Sequence, residues 1–227
     1  MTLKIYEELE QGTPEWLAAR CGIVTASIVN DLVTAKTLKV AANDTSRGRT
    51  ALLVGERLTG RSEPVYPSRD MDRGTYEEPF AREAYSEHYA AATEVGFMVR
   101  DDWGFKIGYS PDGLVGDDGL IEIKSRAPKK HIATILTDEV PAENMAQLQT
   151  GLLVSGRKWI DYVSFCGGMP LYVKRVLPDP AWQAVIVQAV TILEASAGQM
   201  IADYTKAVQD MPTTERPPAY DEMDMVF

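Results

Sequence analysis

Two cysteines, Cys21 and Cys166, and two histidines, His88 and His131, are all that 227 residues offer of the softer metal ligands. They are too few and too scattered for a four-cysteine, mixed cysteine-histidine or three-histidine zinc site, and they exclude a disulfide-stapled scaffold. Any metal chemistry here runs on oxygen ligands. Long apolar runs are lacking too: no stretch approaches about 18 uninterrupted apolar residues, and residues 1–11 have no apolar signal-peptide core. A reduced, cytoplasmic protein is expected. Repeats and low-complexity linkers are also missing. What remains is ordinary globular composition, 45% hydrophobic and 25% charged, in a chain long enough for one domain with a substantial core.

A net charge of −10 repels polyanions on average, but it is spread unevenly. Residues 20–73 hold nine Lys or Arg against six Asp or Glu, whereas residues 74–125 hold four against eleven. The first stretch could meet phosphate; the second wants cations. Residues 209–227 carry five acids against Arg216, with Pro212, Pro217 and Pro218. They read as an acidic C-terminal arm, disordered or docked on a neighbouring subunit, after a single domain over residues 1–208.

Thr13-Pro14 opens a helix through Arg20, and Thr25 opens a second through Leu32. A third helix follows Asp44-Thr45-Ser46 and stops at Gly60. Helical spacing returns over residues 74–89, where Pro79 forces the helix to begin near Glu78 or to bend. Short β-rich runs then cover residues 94–99, 105–109, 113–115 and 120–124. Helices over 130–136 and 142–153, strands over 159–165 and 171–176, and a closing helix over 180–208 complete an α/β chain. A central mixed β-sheet flanked by helices is expected.

The informative stretch runs from Ser110-Pro111-Asp112 to Glu122-Ile123-Lys124. A hairpin turning about Asp117 sets Asp112 opposite Glu122, with side chains roughly 5 Å apart. Facing carboxylates repel unless a cation lies between them, and hard oxygens suit Mg²⁺ or Mn²⁺. Lys124 leaves the same strand face as Glu122, about 6–7 Å along. An ion held there would acidify a bound water and neutralise charge on a phosphodiester, with Lys124 orienting or deprotonating that water. The bland alternative is a turn acid and a solvated edge pair.

Asp112 with Glu122-x-Lys124 reproduces the PD-(D/E)xK signature. Around it stand Trp16-x-x-x-Arg20-x-Gly22-x-x-Thr25-Ala26-Ser27, Gly74-x-x-x-Glu78-x-x-Ala81-Arg82, Ser110-Pro111-Asp112-Gly113-Leu114 and Met145-Ala146-Gln147-x-Gln149. In these ordered motifs the chain resembles the lambda-exonuclease-like, YqaJ-type family of viral recombinase nucleases. The resemblance implies a restriction-endonuclease-like fold and a Mg²⁺-dependent 5′-to-3′ exonuclease, with two ions per site and Mn²⁺ as a substitute. Its substrate is linear double-stranded DNA, cut to mononucleotides to leave a 3′ single strand for annealing recombination.

It further implies that Asp112, Glu122 and the Ile123 carbonyl bind metal, that Lys124 serves the attacking water, and that Glu78, rather than its neighbour Glu77, is the helix carboxylate near a second ion. Arg20, Ser27 and Ser110 match a pocket for the 5′-phosphate. Gln149 matches a glutamine at the reacting phosphate, while Gln147, about 200° round the helix, faces elsewhere. Met71 falls near a strand-separating wedge, with core filling as its alternative. The family forms a ring-shaped homotrimer and works with a phage single-strand annealing protein. Two rivals stand beside this reading: a structure-specific or restriction-type endonuclease of the same fold, and a non-catalytic protein that binds DNA ends.

Overall fold

The computed structural model describes residues 2–63 and 68–216. Residues 217–227 of the expected acidic arm lie outside the described residues. The elements, in chain order, are β1 (Leu3–Tyr6), α1 (Pro14–Arg20), β2 (Val24–Thr25), α2 (Ala26–Val29), β3 (Val33–Thr34), β4 (Lys39–Val40), α3 (Asp44–Thr59) and α4 (Arg69–His88). Then come β5 (Phe97–Arg100), β6 (Ile107–Tyr109), β7 (Gly113–Val115), β8 (Gly119–Ser125), α5 (Pro128–Thr137), α6 (Ala142–Ser155), β9 (Trp159–Phe165), β10 (Tyr172–Val176) and α7 (Pro180–Ala207).

The strands form two four-stranded sheets, β1-β5-β6-β2 and β10-β9-β8-β7, and a small β3-β4 pair. The expected mixed sheet flanked by helices is present, divided into two four-stranded parts. Both larger sheets are mixed, with β2 parallel to β6 and β8 parallel to β9. A parallel return from β8 to β9 needs a crossover, and α5 and α6 supply it. The β7–β8 hairpin pairs Gly113 with Ile121 and Val115 with Gly119, so it turns about Asp117 as the sequence predicts.

β8 is an interior strand and its first five residues are buried. Its alternation divides two layers. Leu120 packs into the main core with Leu148 and Leu152 of α6, while Ile121 and Ile123 pack on Ala81 and Tyr85 of α4. Fully burying such a side chain contributes roughly 1.5–3 kcal/mol. Glu122 lies on the α6 face with 1% exposure, an acid placed inside an apolar strand. α7 is long and apolar enough by composition to cross a membrane. Its stripe of Trp182, Val185, Ile186, Ala189 and Leu193 instead packs into the protein core.

α4 departs from expectation. It begins at Arg69, with the Ser68 hydroxyl accepting from the Met71 N–H at 3.3 Å, and continues through Pro79. A proline inside a helix costs about 3 kcal/mol in a lost hydrogen bond and a clash. Anchors on both sides offset this: Ala81 and Tyr85 are fully buried, and Arg73 and Glu77 both bond the Ser125 hydroxyl of β8, at 2.9 and 2.5 Å. α2 is correspondingly short and ends at Val29, not Leu32.

Candidate active site

One cavity of about 400 Å³ opens between α1, α2, α4, β8 and α6. Asp112, Glu122, Lys124 and Glu78 form an acidic group in its lining, and Arg20, Ser27 and Ser110 belong to a second, basic group. Residues that are distant in the chain are therefore brought together.

In the acidic group each carboxylate already has protein partners. Tyr109 Oη donates to Glu122 Oε2 at 2.9 Å, while Lys124 Nζ and Gln147 Nε2 donate to Oε1 at 2.7 and 2.5 Å. Lys124 Nζ also donates to Gln147 Oε1 at 3.0 Å. β7 begins at Gly113, and just before it the Asp112 carboxylate accepts from the Ile123 N–H at 2.5 Å. Arg82 bonds the Asp112 carbonyl at 2.7 Å and pairs with Glu78 and Glu94.

The electrostatics follow from burial. Burial pushes the Asp112 carboxyl well above the usual range, and Glu122 and Glu78 push it further. Glu78 is raised by burial too, against the pull of Arg82. Burial alone would lower Lys124, but Glu122 and Asp112 outweigh it and hold the ammonium above its ordinary pKa. Burial also raises the Tyr109 phenol, which stays protonated as a donor to Glu122.

Among the described residues no three His, Cys, Asp or Glu side chains are gathered tightly enough to hold an ion as they stand. The donor set nevertheless fits a divalent cation. Asp112, Glu122 and Glu78 are hard oxygen donors sharing one buried cavity, and Lys124 is the ammonium that bonds one of them. Glu122 and Glu78 both push the Asp112 carboxyl upward, and a cation among the three would relieve that repulsion. Ile123, the implied carbonyl ligand, lines the same cavity.

In the basic group, the Arg20 guanidinium stacks on Trp16, 3.8 Å from the ring centroid. Its Nη2 reaches the Thr25 and Ser27 hydroxyls at 3.3 and 3.4 Å. Trp16 Nε1 donates to the Ser110 hydroxyl at 3.0 Å, tying α1 to the end of β6. Burial lowers Arg20 to about 10, with Glu56 acting in the opposite direction. A guanidinium surrounded by hydroxyls, with spare donors, is a site for an anion.

The two α6 glutamines are the reverse of what the sequence reading expected. Gln147 faces the cavity and binds both Glu122 and Lys124. Gln149 is 1% exposed and points the other way, donating to the Leu177 carbonyl at 2.8 Å and accepting from the Asp179 N–H at 2.9 Å. α6 is buried on nearly every side, so no amphipathic stripe marks its cavity face. Tyr109 and Trp16 were missed as site residues. Their one signal was position, next to Ser110 and four residues before Arg20. Glu78 lines the cavity, whereas Glu77 is turned to Ser125. Met71 is half exposed on the cavity rim, so it does not fill the core.

The YqaJ-like viral recombinase domain matches residues 15–158, which contain every cavity-lining residue of the acidic group. The chain belongs to this family. An alkaline exonuclease from Laribacter hongkongensis, LHK-Exo, is 36% identical; the match covers 86% of this chain and 98% of that one, with a TM-score of 0.77. LHK-Exo in complex with dAMP matches with a TM-score of 0.76 at the same identity. A phage related exonuclease from Haemophilus somnus 129PT matches at 13% identity over 80% of this chain and 96% of its own, with a TM-score of 0.64, and shares the fold. No curated protein matches. This YqaJ-like chain thus has the restriction-endonuclease-like fold and is a member of a nuclease family.

Proposed function

We propose that this YqaJ-like protein is a metal-dependent 5′-to-3′ exonuclease that digests one strand of linear double-stranded DNA to mononucleotides. The supporting observation is one cavity lined both by a group of carboxylates and by an arginine-hydroxyl group suited to an anion. One cavity lined by both groups would take a nucleotide unit with the scissile phosphate among the acids and the 5′-phosphate on Arg20, Ser27 and Ser110. A relative whose complex with dAMP is known supports the same substrate class.

Asp112, Glu122, the Ile123 carbonyl and Glu78 would hold Mg²⁺, or Mn²⁺ in its place, as two ions. When bound, the metal supplies Lewis-acid stabilisation of phosphoryl charge and acidifies water. Lys124 and Gln147 hold and orient the attacking water's surroundings through their shared contacts with Glu122. Tyr109 fixes the other Glu122 oxygen, and Arg82 fixes Glu78 and the Asp112 backbone. Water attack on the scissile phosphorus breaks its bond to the 3′-oxygen of the terminal nucleotide. That nucleotide departs with a 3′-hydroxyl and leaves a new 5′-phosphate on the DNA.

The working assembly is a ring-shaped homotrimer, which reconciles a net charge of −10 with a DNA-lined interior. Met71, half exposed in the cavity lining, would part the strands. The exposed 3′ strand would be passed to a phage single-strand annealing protein in the bacterial cytoplasm. Gln149 has no part in this chemistry, since it braces the entry to α7.

The test is digestion of linear duplexes labelled separately at each end, with and without a 5′-phosphate, beside a covalently closed circle. Loss of the 5′ label as mononucleotide with intact circles is expected. Cleaved circles would establish the endonuclease rival, and binding without Mg²⁺-dependent release would establish the non-catalytic one.

A further inference from the structure

Behind the anion pocket lies a second arrangement, built around Gly22. Cys21 (φ −55°, ψ 127°) and Gly22 (φ +70°) are the inner residues of a turn that the Ile23 N–H closes on the Arg20 carbonyl at 3.1 Å. These angles are those of a type II turn, which calls for glycine at its third position. A side chain there would also meet Arg57, whose Cγ lies 2.9 Å from the site of a Cβ.

Both polar groups of Gly22 are gripped from α3. Its N–H donates to Glu56 Oε2 at 2.8 Å, and its carbonyl accepts from Arg57 Nε at 3.0 Å. The remaining Arg57 nitrogens donate to Glu194 of α7, both at 2.7 Å, in a partly exposed fork. Two core helices thus fix the peptide from which Arg20 emerges. Arg20 itself has weak restraint at its tip, two hydroxyl contacts at 3.3 and 3.4 Å and a ring face. Its placement therefore depends on the backbone at its root.

We propose that Glu56, Arg57 and Glu194 form a clamp that positions Arg20, and so sets the preference for a 5′-phosphoryl over a 5′-hydroxyl DNA end. This rests on the pocket reading above. Arg57 and Glu194 are positioning residues and do not touch the DNA. Field effects alone make the opposite forecast for Glu194, because removing an acid strengthens anion binding.

The experiment measures equilibrium binding of fluorescent duplexes with either end, in Ca²⁺, by anisotropy, and takes the ratio of the two affinities. The ratio is insensitive to the fraction of protein folded. Arg57→Gln is expected to lower it about tenfold, the worth of one well-placed charged hydrogen bond. Glu194→Gln lowers it in the same direction, about threefold, because the guanidinium keeps Gly22 but loses its brace. If Arg57→Gln folds poorly, the sign of the Glu194→Gln effect decides alone. A wild-type or increased ratio in Glu194→Gln, with the ratio abolished in Arg20→Gln, refutes the clamp and leaves the pocket standing. An unchanged ratio in Arg20→Gln overturns both.

Discussion

The two groups lining the cavity are held in opposite ways. Glu122 stands within β8, Asp112 just before its partner strand β7 and Glu78 on α4, and each is already bonded within the protein. Arg20 ends α1 where a turn begins, stacked on a ring and touching hydroxyls at long range. Like charges crowd the first group, and unmatched donors fill the second. A rigid site under electrostatic stress is suited to a small cation that demands fixed oxygens. A guanidinium with open donors is suited to a phosphate that arrives and leaves with each cycle.

The comparison breaks most sharply at Lys124. Lys124→Ala should reduce release of acid-soluble nucleotides by about 10²–10⁴-fold while end binding at Arg20 survives, as expected for a group acting in the chemical step. Retained turnover would remove Lys124 from the mechanism.

The α6 glutamines sharpen it next. Gln147→Ala should slow cleavage by about 10–100-fold, as loss of a neighbour that orients a metal-binding group does. Gln149→Ala should leave the rate near wild type and destabilise the fold by about 1–3 kcal/mol, because the Leu177 carbonyl and Asp179 N–H lose a buried partner. Paired rate and denaturation measurements separate them, and a rate defect in Gln149→Ala would restore it to the site.

A smaller effect concerns stress in the acidic group. An acid whose pKa is raised by folding binds its proton more tightly in the native state, so stability falls as pH rises from the unfolded pKa toward the folded one. Asp112→Asn removes that loss and can still accept from the Ile123 N–H. In EDTA at neutral pH the variant should melt higher, by on the order of 2–4 °C, and the gain should vanish under acid conditions where Asp112 is protonated in both states. A lower melting temperature at neutral pH would contradict the charge-crowding account. The smallest effect is at Met71, half exposed on the rim. Met71→Ala should change stability by less than about 0.5 kcal/mol, yet slow digestion of G·C-rich ends relative to frayed ones in a single-turnover assay.

Much of this architecture is legible in local chemistry. The turn at Asp117, the stop at Gly60 and the strand over residues 159–165 all match, because glycine conformation and β-branched alternation act over a few residues. Pro79 does not start the helix: its local penalty is real, but contacts of Arg73, Glu77, Ala81 and Tyr85 with β8 and its neighbours outweigh it. β1 went unread because four half-exposed residues draw their strand character from pairing with β5.

The carboxylate pair and its lysine were legible in the sequence because hairpin symmetry and strand period are short-range geometry, while the arginine-hydroxyl set was legible only through the resemblance of ordered motifs. Which glutamine meets Lys124, that Tyr109 completes Glu122, and that α3 and α7 hold the peptide beneath Arg20 were decided by tertiary packing. A helix buried on most sides has no preferred face until its neighbours choose one, and groups far apart in the chain meet through the sum of all its contacts.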